Sequence, residues 1–244
     1  MHVFVAAMID AVGLSKRYHD HVAIDGVTFQ VQRGEVVGFL GLNGAGKTTT
    51  LRILTGSLPA QAGRATIAGF DVSEHPREVA HRIGYLPEVA PLYRDLTVRE
   101  SLRFVARLKR IKKGEIADEC ERVMDRVGLL DVADRLLRNL SKGYQQRCGL
   151  AQALISKPEV LILDEPTVGL DPRQIGEVRD IIRGLAGVHT VFLSTHILSE
   201  VAAVCERAVI IHRGRVVADD RLDNLAQAED AGSLERAFLR LTGD

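Results

Sequence analysis

The 244-residue chain carries no excess charge of either sign: Lys+Arg total 32 and Asp+Glu total 32. Proteins that work on the phosphates of long nucleic acids usually show a basic excess, so this balance speaks against that role. No apolar run approaches the roughly 18 residues that a membrane span needs. Apolar stretches such as 160–163 and 209–211 are strand-sized. Cysteine is sparse as well. Cys120, Cys148 and Cys205 form no CxxC pair and no His/Cys cluster, so free thiols are expected rather than a disulfide framework or a zinc site. Residues 1–8 are apolar but have no basic leader, and Asp10 interrupts them, so no signal peptide is read. What is left is ordinary for a globular protein, 46% hydrophobic and 26% charged. The length suits one large α/β domain, or one domain with a small insertion.

The hydrophobic pattern divides the chain. Residues 9–15 and 22–29 read as strands joined by a turn at 18–21, with the second strand expected to pair with a short buried strand at 36–40. A helix follows at 47–55, then strand and turn at 63–71 and a strand at 82–86. From Thr97 to Leu140 the apolar residues, among them Leu102, Val105, Leu108, Val123, Met124 and Val127, fall at helical spacing with no strand pattern between them. Within this stretch, residues 107–113 carry five basic side chains, which read as a solvated helix end in preference to a docking surface. Beyond Leu140, strands at 160–163 and 190–194 alternate with helices at 173–186 and 197–205. Strands at 208–212 and 215–218 flank Gly214, and an amphipathic helix at 233–241 closes the chain with Leu234, Phe238 and Leu241 on one face. Alternation of this kind predicts an α/β fold: a mainly parallel sheet, an N-terminal antiparallel β region and an inserted helical subdomain. The expected parts are 8–94, 95–140 and 141–244.

Two motifs carry chemistry. Gly41-Leu42-Asn43-Gly44-Ala45-Gly46-Lys47-Thr48, followed by Thr49, fits GxxxxGK[ST] and sits between a buried strand and a helix, where a phosphate-binding P-loop requires it. Its glycines let successive N–H groups turn inward as an anion nest at a helix N-terminus. Lys47 is placed as a point charge for the β- and γ-phosphates and the Thr48 hydroxyl for Mg²⁺. Downstream, four apolar residues lead into Asp164 and Glu165. Asp164, at the C-terminal end of the strand, is placed to hold Mg²⁺ as a Walker B acid. Glu165, one residue on, points elsewhere and can polarise an attacking water. Together these predict a P-loop NTPase. No NKxD-type segment for reading guanine is present.

Further residues narrow the class. Leu140-Ser141-Lys142-Gly143-Tyr144-Gln145-Gln146-Arg147 resembles the LSGGQ signature of ATP-binding cassette (ABC) proteins. Gly169-Leu170-Asp171 resembles their D-loop, Ser194-Thr195-His196 their switch histidine, and Tyr18 their adenine-stacking aromatic. The resemblance runs over residues 9–241 in family order. It implies ATP and Mg²⁺ as ligands, and Glu165 and His196 as the catalytic pair. It also implies an ATP glued between two cassettes, homodimeric or paired, with Ser141, Lys142, Gly143, Gln145 and Asp171 acting on the ATP of the other subunit. Two departures stand out. Glu88 occupies the position where the family's Q-loop usually has Gln, still an oxygen donor that could join Thr48 and Asp164 at the metal, and Lys142-Gly143-Tyr144 replaces Gly-Gly-Gln. Both variants resemble ATPases of the type-2 exporter class, including gliding-motility and nitrous oxide reductase maturation relatives.

The implied function is the ATPase subunit of an ABC exporter. It would lie on the cytoplasmic face of the inner membrane and drive a permease on a separate polypeptide, with no direct binding of nucleic acid. A soluble ABC machine acting on DNA or ribosomes is the alternative. Such machines usually carry two cassettes, a long coiled coil, zinc inserts or a basic surface, and none of these is visible here. A nucleotide-binding regulator without turnover is disfavoured by the joint presence of Lys47, Asp164, Glu165 and His196.

Overall fold

The computed structural model describes residues 7–228 and 233–243; residues 1–6, most of the apolar N-terminal stretch, lie outside the described residues. The first part of the chain is β1 (Ile9–Tyr18), β2 (His21–Val31), β3 (Val36–Leu40), α1 (Lys47–Leu54), β4 (Ala62–Ile67), β5 (Phe70–Asp71), α2 (Pro76–Arg82) and β6 (Ile83–Leu86). Helices α3 (Val98–Leu108), α4 (Ile116–Arg126) and α5 (Lys142–Leu154) follow. The rest is β7 (Val160–Asp164), α6 (Pro172–Arg183), β8 (Thr190–Thr195), α7 (Leu198–Val204), β9 (Arg207–His212), β10 (Arg215–Arg221), α8 (Leu222–Ala228) and α9 (Leu234–Thr242).

Two sheets organise these elements. The smaller is antiparallel, in the order β2-β1-β4-β5. The larger, β10-β9-β3-β8-β7-β6, is parallel except for β10, which runs antiparallel to β9. The expected pairing of β2 with β3 does not occur. β2 pairs with β1, and β3 lies between β8 and β9. The reason is burial. β3 has apolar residues on both faces, and such a strand belongs in a sheet covered on both sides.

Alternation along the central strands feeds two apolar layers. Val37, Phe39, Ile162, Phe192 and Val209 face the antiparallel sheet and α1, while Leu40, Leu161, Leu163 and Leu193 face the helices of the middle of the chain. Phe29 from β2 bridges the sheets, its ring 5.7 Å from that of Phe39 and 5.0 Å from that of Phe192. Each such buried ring contributes up to about 3 kcal/mol by its removal from water. Gly38 is required on the other face, because a Cβ there would run into Val201 of α7.

α3 begins with a capping box. Thr97 Oγ1 accepts from the Glu100 N–H at 3.2 Å, and Glu100 accepts from the Thr97 N–H at 2.9 Å. α2 and α8 are not foreseen in the hydrophobic pattern. α2 has only one buried side chain, Val79, over seven residues, too few to show a period. All three cysteines are buried and unpaired, and burial pushes the Cys148 and Cys205 thiols up to about 12, which leaves them inert. Among the described residues, no helix is long and apolar enough to cross a membrane.

Candidate nucleotide site

A cleft of about 520 Å³ opens where β3, β7 and β8 end, the edge of an α/β sheet at which ligands bind. Tyr18, Asn43, Gly44, Gly46, Lys47, Thr48, Thr49, Glu88, Glu165 and His196 all line it. The loop from β3 to α1 is shaped by glycine. Gly44 and Gly46 have φ of 80° and 108°, and a side chain at Gly46 would collide with Ile24 and the Ala23 carbonyl. Gly41, Leu42 and Ala45 lie behind the loop rather than in the cleft. The Gly41 carbonyl accepts from Lys47 Nζ at 2.7 Å and that of Leu42 at 3.4 Å. The Ala45 carbonyl accepts from the Gly214 N–H at 2.9 Å, which ties the loop to the β9–β10 turn.

The buried Lys47 ammonium lies 3.5 Å from Glu165 Oε1. Glu165 is also buried, and its carboxylate lies 2.9 and 3.0 Å from His196 Nδ1; against a carboxylate, Nδ1 is the donor. Strict alternation would send Asp164 and Glu165 to opposite faces. Instead Glu165 takes φ 48°, a conformation non-glycine residues rarely adopt, and its side chain turns back to Lys47. The Glu165 carboxylate thus lies in the cleft beside the phosphate loop. Backbone strain of this kind, about 1–3 kcal/mol, tends to mark functional sites. The His196 segment is braced from below: Thr195 Oγ1 donates to the buried Glu200 at 2.6 Å and accepts from the Ile197 N–H at 3.0 Å. Burial raises the Glu200 pKa.

Asp164 is only 2% exposed, and its Oδ1 has no hydrogen-bond partner. Burial raises its pKa, with Glu165 and Glu88 adding to the rise while Ser194 and Lys47 oppose it. A buried carboxylate with a free oxygen beside two other acids is the environment that a divalent cation relieves. Among the described residues, no group of three or more His, Cys, Asp or Glu could hold a metal.

The residues expected to act on another subunit's ATP do not line this cleft. Ser141 caps α5 and Asp171 caps α6, each accepting from the N–H three residues on. Gln145 Nε2 donates to the carbonyls of Leu140 and Leu137 at 3.0 and 3.2 Å. Gly143 packs against Gln174, and the Lys142 ammonium lies against Gly169 of its own chain. Sequence reasoning missed three lining residues, His21, Ala23 and Val168. His21 faces Tyr18 across the β1–β2 turn, and that turn is its only sequence signal.

Comparison with known proteins places the chain. The family model described as ABC transporter matches residues 24–168. The chain is 40% identical over 223 residues to the bacitracin transport ATP-binding protein BcrA of Bacillus licheniformis, covering 91% of this chain and 72% of that one. It is 38% identical over 224 residues to the Nod factor export ATP-binding protein I of Burkholderia pseudomallei (strain 1710b), covering 91% and 74%. A solved ATP-binding subunit of an ABC transporter superposes with a TM-score of 0.85 at 30% identity over 96% of this chain and 99% of its own. The phosphate loop, the acid pair at the end of β7 and these likenesses agree: the chain belongs to the ABC transporter family as an ATP-binding subunit, an ATPase coupled to transport.

Proposed function

We propose that this cleft binds ATP with adenine on Tyr18 and the phosphates in the Gly41–Thr48 loop, and that two cassettes close on two ATP molecules head to tail. The second cassette is a copy of this chain or a relative. Ser141, Lys142, Gly143, Gln145 and Asp171 then serve the ATP of the opposite subunit. The observation that carries the reading is the Glu165 carboxylate held between Lys47 and His196. On ATP binding, Lys47 exchanges its loop carbonyls for β- and γ-phosphate oxygens. Glu165 takes a proton from the water that attacks the γ-phosphorus, and the bond from that phosphorus to the bridging β,γ-oxygen breaks. His196 keeps Glu165 in place through Nδ1 and meets the γ-phosphate with its other ring nitrogen. Thr48, Asp164 and Glu88 would hold Mg²⁺, which supplies charge neutralisation at the phosphates.

ATP binding and hydrolysis work on a separate transmembrane subunit through the difference in affinity between open and closed cassettes. The Glu88 segment and the neighbouring helices α3 and α4 form the receiving side for a short helix of that partner. The subunit then sits on the cytoplasmic face of the inner membrane and binds no nucleic acid. An export ATP-binding protein among the relatives supports outward transport.

Glu88→Gln keeps an oxygen donor while removing the charge, so ATPase activity is expected to stay within a few-fold of the parent. A loss of about 100-fold, roughly 2.7 kcal/mol, would show that the charge itself is needed. The transporter assignment is tested by pull-down of the tagged chain from detergent-solubilised native membranes, with mass spectrometry of its companions. A multi-span membrane protein is expected. Ribosomal or DNA-associated companions without one would overturn the reading in favour of a soluble machine.

A further inference from the structure

The turn between α3 and α4 has a chemistry that nucleotide binding does not use. Of the five basic residues at 107–113, two have partners within the chain, one buried and one at the surface. The Lys109 ammonium turns inward and donates to the carbonyls of Ile155 and Ile83 at 3.2 and 3.3 Å, and Lys112 pairs with Glu115 at 3.7 Å. Arg107 and Lys113 are not spent in this way. With Arg103, one helical turn earlier on α3, they line a cleft of about 530 Å³ floored by Ile111, Ile116 and Ala117. This is as large as the nucleotide cleft, with three cations and no acid in its lining. Among the described residues, the Arg103, Arg107 and Lys113 side chains make no ion pair or hydrogen bond, although Glu100 and Asp134 lie within electrostatic range of Arg103. The acids of the neighbouring turn of α4 are engaged or turned out: Glu119 is held by Arg122 at 2.7 and 2.8 Å, and Asp118 is exposed outside the lining.

An exposed apolar side chain follows this charge in sequence, outside the cleft lining. Leu108 ends α3 at 65% exposure between Arg107 and Lys109, and Arg110 follows in a left-handed turn with φ 59°. A free phosphate would be served by the cations alone, and an acidic peptide has no need of a protruding leucine. Cations around an exposed leucine match the interface of a bilayer, where headgroups are anionic and the layer beneath is apolar.

We infer that the α3–α4 turn, through Arg103, Arg107 and Lys113 with Leu108 at its tip, binds the headgroups of anionic phospholipids. The inference rests on this turn and not on the assignment of the nucleotide cleft, so either can fail without the other. Each cation near an anionic surface is worth about fivefold in partitioning, roughly 1 kcal/mol, so the three together are worth about 150-fold.

The test is sedimentation of the full chain with vesicles of phosphatidylglycerol and phosphatidylcholine, against vesicles of phosphatidylcholine alone, at 50 and 300 mM salt. Binding is expected only to the anionic vesicles and is expected to weaken with salt. The triple variant Arg103→Ser, Arg107→Ser, Lys113→Ser is expected to lose it. A control removes the same charge at the exposed Arg64, Arg77 and Arg213 and is expected to bind like the parent, with thermal melts checking that all variants fold. Equal loss in the control would reduce the effect to net charge and overturn the site. Equal binding to neutral vesicles, or none to either, would overturn it as well. Displacement by millimolar inorganic phosphate would reassign the cleft to a soluble phosphate, and capture of a poly-glutamate peptide without vesicle binding would reassign it to an acidic partner segment.

Discussion

Glu165→Gln lowers ATP turnover by about 10²–10⁴-fold, the contribution a positioned general base typically makes, while ATP binding is retained. The substitution is nearly isosteric, so it isolates basicity from shape. The amide oxygen can still accept from His196 Nδ1, which lies 2.9 and 3.0 Å from the two carboxylate oxygens. Lys47 keeps its bonds to the Gly41 and Leu42 carbonyls, so the loop has no reason to collapse. Removing one negative charge beside the buried Asp164 also lowers repulsion against incoming phosphate. ATP affinity is therefore expected to hold or rise, and ATP-bound dimers to accumulate because the step that releases them is blocked. Steady-state phosphate release, fluorescent-nucleotide titration and light scattering with ATP read the three quantities separately. Near-normal turnover would remove Glu165 as the base. Loss of turnover together with loss of ATP binding would show that it acts by holding the loop.

The contacts of Glu165 with Lys47 and His196 are not displayed by the sequence. The phosphate loop is visible because its chemistry needs glycine at fixed spacing after a buried strand, and Gly44 and Gly46 do take positive φ. The central strands are visible because apolar residues on both faces leave few other structures. The direction of Glu165 is not visible, since a left-handed backbone at a glutamate has no signature and period-2 reasoning says only that it departs from Asp164. Pairing is a similar case: adjacency in sequence favours β2 beside β3, yet burial on both faces moves β3 into the other sheet. The helices α2 and α8, at seven residues each, are too short for their few apolar positions to reveal a period. The basic run at 107–113 reads as uniform in sequence. Only the fold separates the inward Lys109 from Arg107 and Lys113, which share a cleft with Arg103.

Lys47→Ala is expected to weaken ATP binding by on the order of 30-fold to several thousand-fold. This corresponds to the roughly 2–5 kcal/mol lost when one partner of a buried charge pair is truncated. Lys47 is 6% exposed, so water screens it poorly and cannot replace it at the phosphates. The variant also leaves Glu165 buried without its cation and the Gly41 carbonyl without its 2.7 Å donor. Some loss of stability, about 1–3 kcal/mol, is therefore expected in the ligand-free protein. Weaker binding and weaker folding are separated by the choice of nucleotide. Adenosine and AMP lack the β- and γ-phosphates that Lys47 would meet but keep the base that would stack on Tyr18. Their affinities should be unchanged while that of ATP falls. A parallel loss for all three would mean that the cleft itself has been disturbed. Unchanged ATP affinity would remove Lys47 from phosphate binding and leave its contact with Glu165 as its role. Lys47→Arg sharpens the comparison. It keeps the charge but brings a planar fork into a site that holds a compact ammonium, so partial recovery of ATP affinity would assign the main effect to charge, and none would assign it to the fit of the ammonium within the loop.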